Sequence, residues 1–313
     1  MTECSADRKE PTMRILCAVD GSEYSQWGVQ TLEALADRQP DRVALVHVVN
    51  PAALLTSKGK NPVAEKRALA AMEKAGALLL REAARSARAA LGQAATGPRT
   101  MIQTVLAHGP LAATIARQAK RMKADLILMG SRGLSDVRGF LLGSVSRQLA
   151  SIAPCPVFVV KQAISRLATV VLAVGDSKQS RAAAHFLRSR ILPASTTVTI
   201  LTSAENPVTE LAERYLSATQ LTNLKRPVMD RAIALVNGLR QDFIKDGHSV
   251  ITQVNMDHVI DTIVKQVQAD HSDLLVIGSR DLTKSERLHL GSVSECLLKY
   301  APCSVLVVRG ARD

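Results

Sequence analysis

The chain has 313 residues, 47% of them hydrophobic but only 3% aromatic, enough for two globular domains with cores of Val, Leu, Ile and Ala. No apolar run reaches the roughly 18–20 residues that span a bilayer, and the first eleven residues carry no secretory h-region, so a soluble, cytoplasmic protein without a membrane span is expected. The net charge of +12 is concentrated in residues 51–162, which hold seventeen basic and five acidic side chains; such a field favours an anionic ligand or partner, although cations also solvate the outer faces of helices.

After an N-terminal tail of residues 1–11, short uninterrupted β-branched runs predict strands near 13–20, 42–49, 99–106, 124–130 and 156–161. Segments with helical periodicity lie between them, near 23–38, 62–92, 110–122 and 143–153. The pattern then repeats, with strands near 168–174, 197–203, 249–255, 272–278 and 303–308. Residues 204–227 have no close counterpart and read as a short helical piece and a polar turn, Asn223-Leu-Lys-Arg-Pro227. The alternation of strand and helix predicts a doubly wound α/β fold, built twice, with domains at 12–162 and 163–313 joined by a short linker around Ser165.

Internal matches support duplication. Asp125-LILMGSRG aligns with Asp273-LLVIGSRD, Gly143-Ser-Val-Ser with Gly291-Ser-Val-Ser, and Ala153-Pro-Cys-Pro with Ala301-Pro-Cys-Ser. Five cysteines without a C-x-x-C pair argue against a disulfide framework or a zinc cluster, and no metal site is expected.

One spacing carries the chemistry. Gly130-Ser-Arg-Gly133, nine residues, then Gly143-Ser144, begins where a strand ends and finishes where a helix opens, a place where backbone amides can meet phosphate oxygens. Gly130 and Gly133 would let the backbone approach a ligand that a Cβ would obstruct, and Ser144 and Ser146 would add hydroxyl donors. The same spacing also describes a flexible loop before an N-capped helix, and it is neither a P-loop nor a G-x-G-x-x-G turn. In the second copy Asp281 replaces the second glycine, Gly175-Asp176 replaces Asp20-Gly21, and Met256-Asp257 replaces Gly109-Pro110, so that edge has diverged. Asp20 either caps the following helix or meets a ligand. His47 and His108 have no carboxylate or nucleophile nearby in sequence, and structural roles are expected for both.

Ile15-LCAVDGSEYS25, Val46-His-Val-Val49, Ala124-DLILMGSRG133 and Gly143-Ser-Val-Ser146 together resemble the universal stress protein family in its tandem two-domain form. The resemblance implies two domains, each a five-stranded parallel sheet of order 3-2-1-4-5, and ATP with Mg2+ as the cofactor, bound by the first domain in a regulatory, stress-response role. It places Ala18 and Val19 at adenosine, Asp20 at the ribose or metal-phosphate region, Val48 at adenine through its backbone, and Met129 and Gly130 under the nucleoside. It places Gly133, Gly143, Ser144, Val145 and Ser146 at the phosphates. It further implies an intramolecular pseudo-dimer in which Pro156–Lys161 pairs with Ser304–Arg309, and is compatible with a homodimer of such units. No general base or arginine finger is identifiable, so no catalytic residue is assigned and at most slow hydrolysis is expected.

Two other readings compete. A non-nucleotide scaffold would use its basic face, including the Lys- and Arg-rich helix within 58–92, to recruit an anionic protein partner. An adenylating enzyme would need a Ser-Gly-Gly-x-Asp-Ser loop, absent after the first strand. With three Tyr, four Phe and one Trp there are too few aromatics for a base-stacking platform, and no nucleic-acid partner is expected.

Overall fold

The computed structural model describes residues 13–51, 62–92, 100–134, 142–193, 195–279 and 290–309. The N-terminal tail and Asp281 lie outside them. Strands β1 (Arg14–Ala18), β2 (Arg42–Val49), β3 (Met101–His108), β4 (Leu126–Gly130) and β5 (Val157–Val160) alternate with helices α1 (Glu23–Gln30), α2 (Pro62–Gly92), α3 (Leu111–Met122) and α4 (Ser144–Ile152). The second repeat supplies β6 (Thr169–Ala173), α5 (Lys178–Phe186), β7 (Thr197–Ser203), α6 (Glu210–Glu213) and α7 (Ala218–Lys245). It continues with β8 (Ser249–Asn255), α8 (Val259–Ala269), β9 (Leu274–Ser279), α9 (Ser292–Tyr300) and β10 (Ser304–Arg309).

All ten strands form one sheet of order β3-β2-β1-β4-β5-β10-β9-β6-β7-β8, so each repeat shows the order 3-2-1-4-5. Pairing is parallel within each repeat and antiparallel only at the join, where Phe158 faces Leu306 and Val159 faces Val305, as the resemblance implied. The central strands are apolar at every position because both their faces are covered: β4 and β5 are buried throughout. Each face of the sheet carries one apolar layer that runs through both repeats, Ile15, Leu128, Phe158 and Leu306 on one side and Leu16, Ile127, Val159 and Val305 on the other.

The shared Asp of the repeated motif has a structural use. Asp125 Oδ2 accepts from the backbone N–H of Arg14 at 2.8 Å and from its Nε at 3.2 Å. Asp273 accepts from the amides of Ala168 and Thr169 at 2.7 and 3.0 Å. In both repeats this carboxylate pins the start of the first strand to the fourth.

Two predicted elements differ. The helix expected over 23–38 divides into α1 and a 3-10 segment Glu33–Arg38, because the buried Thr31 returns its hydroxyl to the Trp27 carbonyl at 2.8 Å and ends the α-helical run. The polar turn expected at 223–227 is helical: Pro227 lies inside α7, which starts at a capping box formed by Ser217 and Gln220. Ala232, Val236 and Phe243 bury the helix against the sheet downstream, and that packing outweighs the hydrogen bond lost at the proline.

Burial pushes the thiols of Cys17, Cys155 and Cys303 up to about 12, in keeping with packing roles. Among the described residues no helix is long and apolar enough to cross a membrane.

Candidate functional site

At the carboxyl edge of the first repeat, β1 and β4 are neighbours from which the chain departs in opposite directions, the place where doubly wound sheets open a crevice. Strand β1 makes its last sheet contact through Val19, whose N–H donates to the Val46 carbonyl at 2.9 Å. The chain then leaves through Asp20-Gly21, where Gly21 has φ +88° and a Cβ would lie 2.6 Å from Leu79 Cδ1. Ser22 caps α1 by accepting from Ser25 N–H.

Asp20 performs the expected capping and also more. Its Oδ1 accepts from Ser22 N–H at 2.9 Å and Ser22 Oγ at 2.6 Å, while Oδ2 accepts from Leu134 N–H at 3.3 Å. The carboxylate therefore ties the turn after β1 to the loop after β4, a link invisible in one turn's sequence.

Strand β2 borders the crevice with Val46, His47 and Val48. The Val46 carbonyl points towards β1 and the Val49 carbonyl towards β3, where it accepts from Gly109 N–H at 3.0 Å. By strand alternation Val48 turns its N–H and C=O to the β1 side, beyond the point at which β1 has left the sheet. That leaves a donor and an acceptor side by side at the crevice. His47 Nδ1 stands 2.8 Å from the Val19 carbonyl, which only accepts, so Nδ1 carries the proton. Gly76 of α2 lies against the same ring, where a Cβ would meet His47 Cδ2 at 2.6 Å. His108 finds a carboxylate that is distant in sequence: its Nε2 lies 2.8 Å from Glu73 Oε1, thirty-five residues away on α2.

Past β4, Ser131 N–H donates to the Val160 carbonyl at 2.7 Å, and Gly143 N–H to the Ser131 carbonyl at 2.8 Å. Ser146 is buried, and its hydroxyl lies 3.0 Å from the Gly130 carbonyl and 2.9 Å from that of Ser131. These contacts fix the start of α4, whose N-cap is Gly143. Its first intrahelical bond is Arg147 N–H to the Gly143 carbonyl at 3.2 Å, so the amides of Ser144, Val145 and Ser146 have no intrahelical acceptor. The Ser146 hydroxyl, expected as a ligand donor, is committed to the fold; its amide meets no acceptor among the described residues.

Gly130 has a packing role beside its place in the cavity wall. A Cβ there would come within 2.6 Å of the Tyr24 backbone, so its missing side chain admits α1. Gly278 occupies the same place in the second repeat, where a Cβ would meet Gln179 backbone at 2.7 Å. This explains why that glycine persists although Gly133 is answered by Asp281.

Ala18, Val19, Asp20, Val48, Met129, Gly130, Gly133, Gly143, Ser144, Val145 and Ser146 all line one cavity of about 100 Å³. The structure adds Ser25, Val46, His47, Leu111, Ile115 and Arg132 to its wall. Leu111 and Ile115 are one helical turn apart on α3, a signal the sequence carried only as amphipathicity. Arg132 is held by Tyr24, its Nη1 donating to the phenol oxygen at 3.0 Å and its guanidinium 5.2 Å from the ring centroid. Its Nε is buried and meets no hydrogen-bond partner among the described residues.

In the second repeat Gly175 stands where Asp20 does, since Val174 N–H donates to the Leu201 carbonyl as Val19 does to Val46. Ser203 replaces Val48, and its hydroxyl donates to the Asp257 carbonyl. Gly291 still caps α9, and Ser294 Oγ lies 3.4 Å from the Gly278 carbonyl. The second copy keeps the Gly278 packing, the Gly291 cap and the Ser294 contact, and changes the residues at the Asp20 and Val48 positions.

The sequence model described as the universal stress protein family matches residues 11–161 and again 167–309. The Mycobacterium tuberculosis universal stress protein Rv2624c is 29% identical over 318 residues, covering 96% of this chain and 98% of its own length. A single-domain universal stress protein of Thermus aquaticus is 34% identical over 148 residues, 47% of this chain and 97% of its own. A universal stress protein from Archaeoglobus fulgidus has a similar structure, with TM-score 0.66 and 20% identity, over 95% of this chain and 96% of that one. The chain belongs to the universal stress protein family, with two tandem domains of that fold.

Proposed function

We propose that the first repeat binds an adenine nucleotide, ATP with Mg2+, in a regulatory stress-response role, and that the second repeat has diverged from this use. The observation that carries the reading is the pairing of two polar surfaces in one cavity: the outward N–H and C=O of Val48 on one wall and the three uncommitted amides of α4 on another. A backbone donor and acceptor side by side suit the edge of a purine, and a helix N-terminus suits phosphate. With the base beside Val48, the phosphates would reach the α4 amides across the same cavity, which Arg132 also borders.

Among the described residues no three His, Cys, Asp or Glu side chains cluster as a metal cage. Mg2+ would accordingly arrive on the phosphates, with water completing its shell. Asp20 would support the site by holding the loop, as both its oxygens already accept from the chain. A carboxylate so engaged is a poor general base, which favours sensing over turnover.

The purified chain should release adenine absorbance on denaturation, or melt at higher temperature when ATP and Mg2+ are added. Absence of both effects would overturn the reading. The scaffold alternative draws on the basic side of the first repeat, none of whose α2 cations lines the cavity.

A further inference from the structure

We infer that the outer edge of β3 is a docking site for an extended acidic segment of a partner protein, which adds to the sheet as an eleventh strand. Strand β3 ends the ten-stranded sheet and runs for eight residues. Met101 N–H donates to the Asp41 carbonyl and Gly109 N–H to that of Val49, so odd-numbered residues face β2. Ile102, Thr104, Leu106 and His108 therefore direct their N–H and C=O groups outwards, and no hydrogen bond from the described residues meets them. The strand holds no proline, no Lys and no carboxylate, the usual means of blunting an exposed edge.

Charge specifies the occupant. Helix α2 buries Leu80, Ala84, Ala87 and Leu91 against the sheet, and Leu79 faces Gly21 on the side of α1. Arg81, Arg85 and Arg88 each follow a buried residue by one position, so they lie on the opposite flank, over the free edge, and all are exposed. The acidic side chains of α2 near this edge are Glu82, between the arginines, and Glu73, which is paired with His108 Nε2 at 2.8 Å. On the other face of the sheet α3 exposes Arg117, Lys120 and Arg121, and contains no acidic residue.

The second repeat supplies an internal comparison. Ala232, Val236, Leu239 and Phe243 of α7 repeat the spacing of the buried positions of α2, which sets Ile233, Asn237 and Arg240 in the places of Arg81, Arg85 and Arg88. Strand β8 ends the sheet in the same way, yet most of its flanking charge is gone. A strand-adding partner rich in Asp or Glu thus discriminates β3 from β8 by electrostatics, with main-chain bonds supplying affinity.

The test uses the full chain and a synthetic peptide of five Val-Glu repeats, with a Val-Lys peptide and a Val-Glu peptide interrupted by prolines as controls. Fluorescence anisotropy should show binding of the first peptide alone. Hydrogen exchange should show new protection at the amides of Ile102, Thr104, Leu106 and His108. Binding should weaken at least tenfold in R81E/R85E/R88E and in T104P, which deletes an outward N–H while leaving the bonds to β2 in place. The exchange measurement on the unaltered chain stands even if a variant folds poorly. Failure of the Val-Glu peptide to bind, equal binding of its proline-interrupted form, or binding without protection of β3 would each overturn the proposal. So would protection of these amides that rises with protein concentration alone, which would assign the edge to a second copy.

Discussion

Gly133 lacks a side chain because Asp20 fills the space: a Cβ at residue 133 would lie 2.7 Å from Asp20 Oδ2, the oxygen that accepts from Leu134 N–H. The second repeat carries Gly175 and Asp281 at these positions, so sequence exchanges the glycine and the carboxylate between them. Replacing Gly133 with Asp alone should cost about 1–3 kcal/mol through collision and like-charge repulsion. The double variant D20G/G133D should regain at least half of that loss in urea unfolding. A double variant as unstable as G133D would show that the two positions are not coupled.

Gly130 and Gly278 should behave alike, because each admits the backbone of a helix, Tyr24 in one repeat and Gln179 in the other. Alanine at either position should destabilise the chain by about 1–3 kcal/mol. Comparable losses in thermal unfolding would assign both glycines to packing; a loss of nucleotide affinity without destabilisation in G130A would return that glycine to the ligand.

The strands and their duplication were legible because buried β-branched runs and an internal repeat leave few alternatives, as in Val157–Val160 and Ser304–Arg309, whereas the strand order and the antiparallel join came from the family resemblance and not from the apolar pattern. Pro227 was misleading because a turn signal is local, whereas the packing of Val236 and Phe243 that keeps α7 helical is tertiary. The eleven candidate residues do meet around one cavity, yet sequence could not apportion their roles. Gly130 faces Tyr24, Asp20 reaches Leu134, and Ser146 serves two carbonyls, all contacts between segments over a hundred residues apart or across a loop.

Ser146→Ala removes a buried hydroxyl that the Gly130 carbonyl faces at 3.0 Å and leaves the Ser131 carbonyl with Gly143 N–H as its remaining donor, at a cost of about 1–3 kcal/mol. Ser294→Ala should cost less, as its hydroxyl contact among the described residues, to the Gly278 carbonyl, is longer at 3.4 Å. Urea denaturation of the two variants checks the order; a larger loss at Ser294 would contradict it.

Lys161 joins the two repeats, its Nζ donating to the Ala301 carbonyl at 2.6 Å beyond the end of α9. Burial lowers its pKa from 10.5 to about 8, with Arg132 adding to the effect and Cys303 opposing it. Because the folded pKa lies below the unfolded one, the unfolded chain binds more protons between these values, and this residue makes stability rise from about pH 8 to about 10.5. The pH dependence of unfolding should lose that rise in Lys161→Met. Identical profiles for the two proteins would contradict the assignment.

Isothermal titration calorimetry of the full chain with ATP and Mg2+ tests the central claim most directly, because it counts sites. The account predicts one site per chain, in the first repeat. Two sites would contradict the divergence of the second repeat, and no heat of binding at any accessible concentration would contradict nucleotide recognition itself.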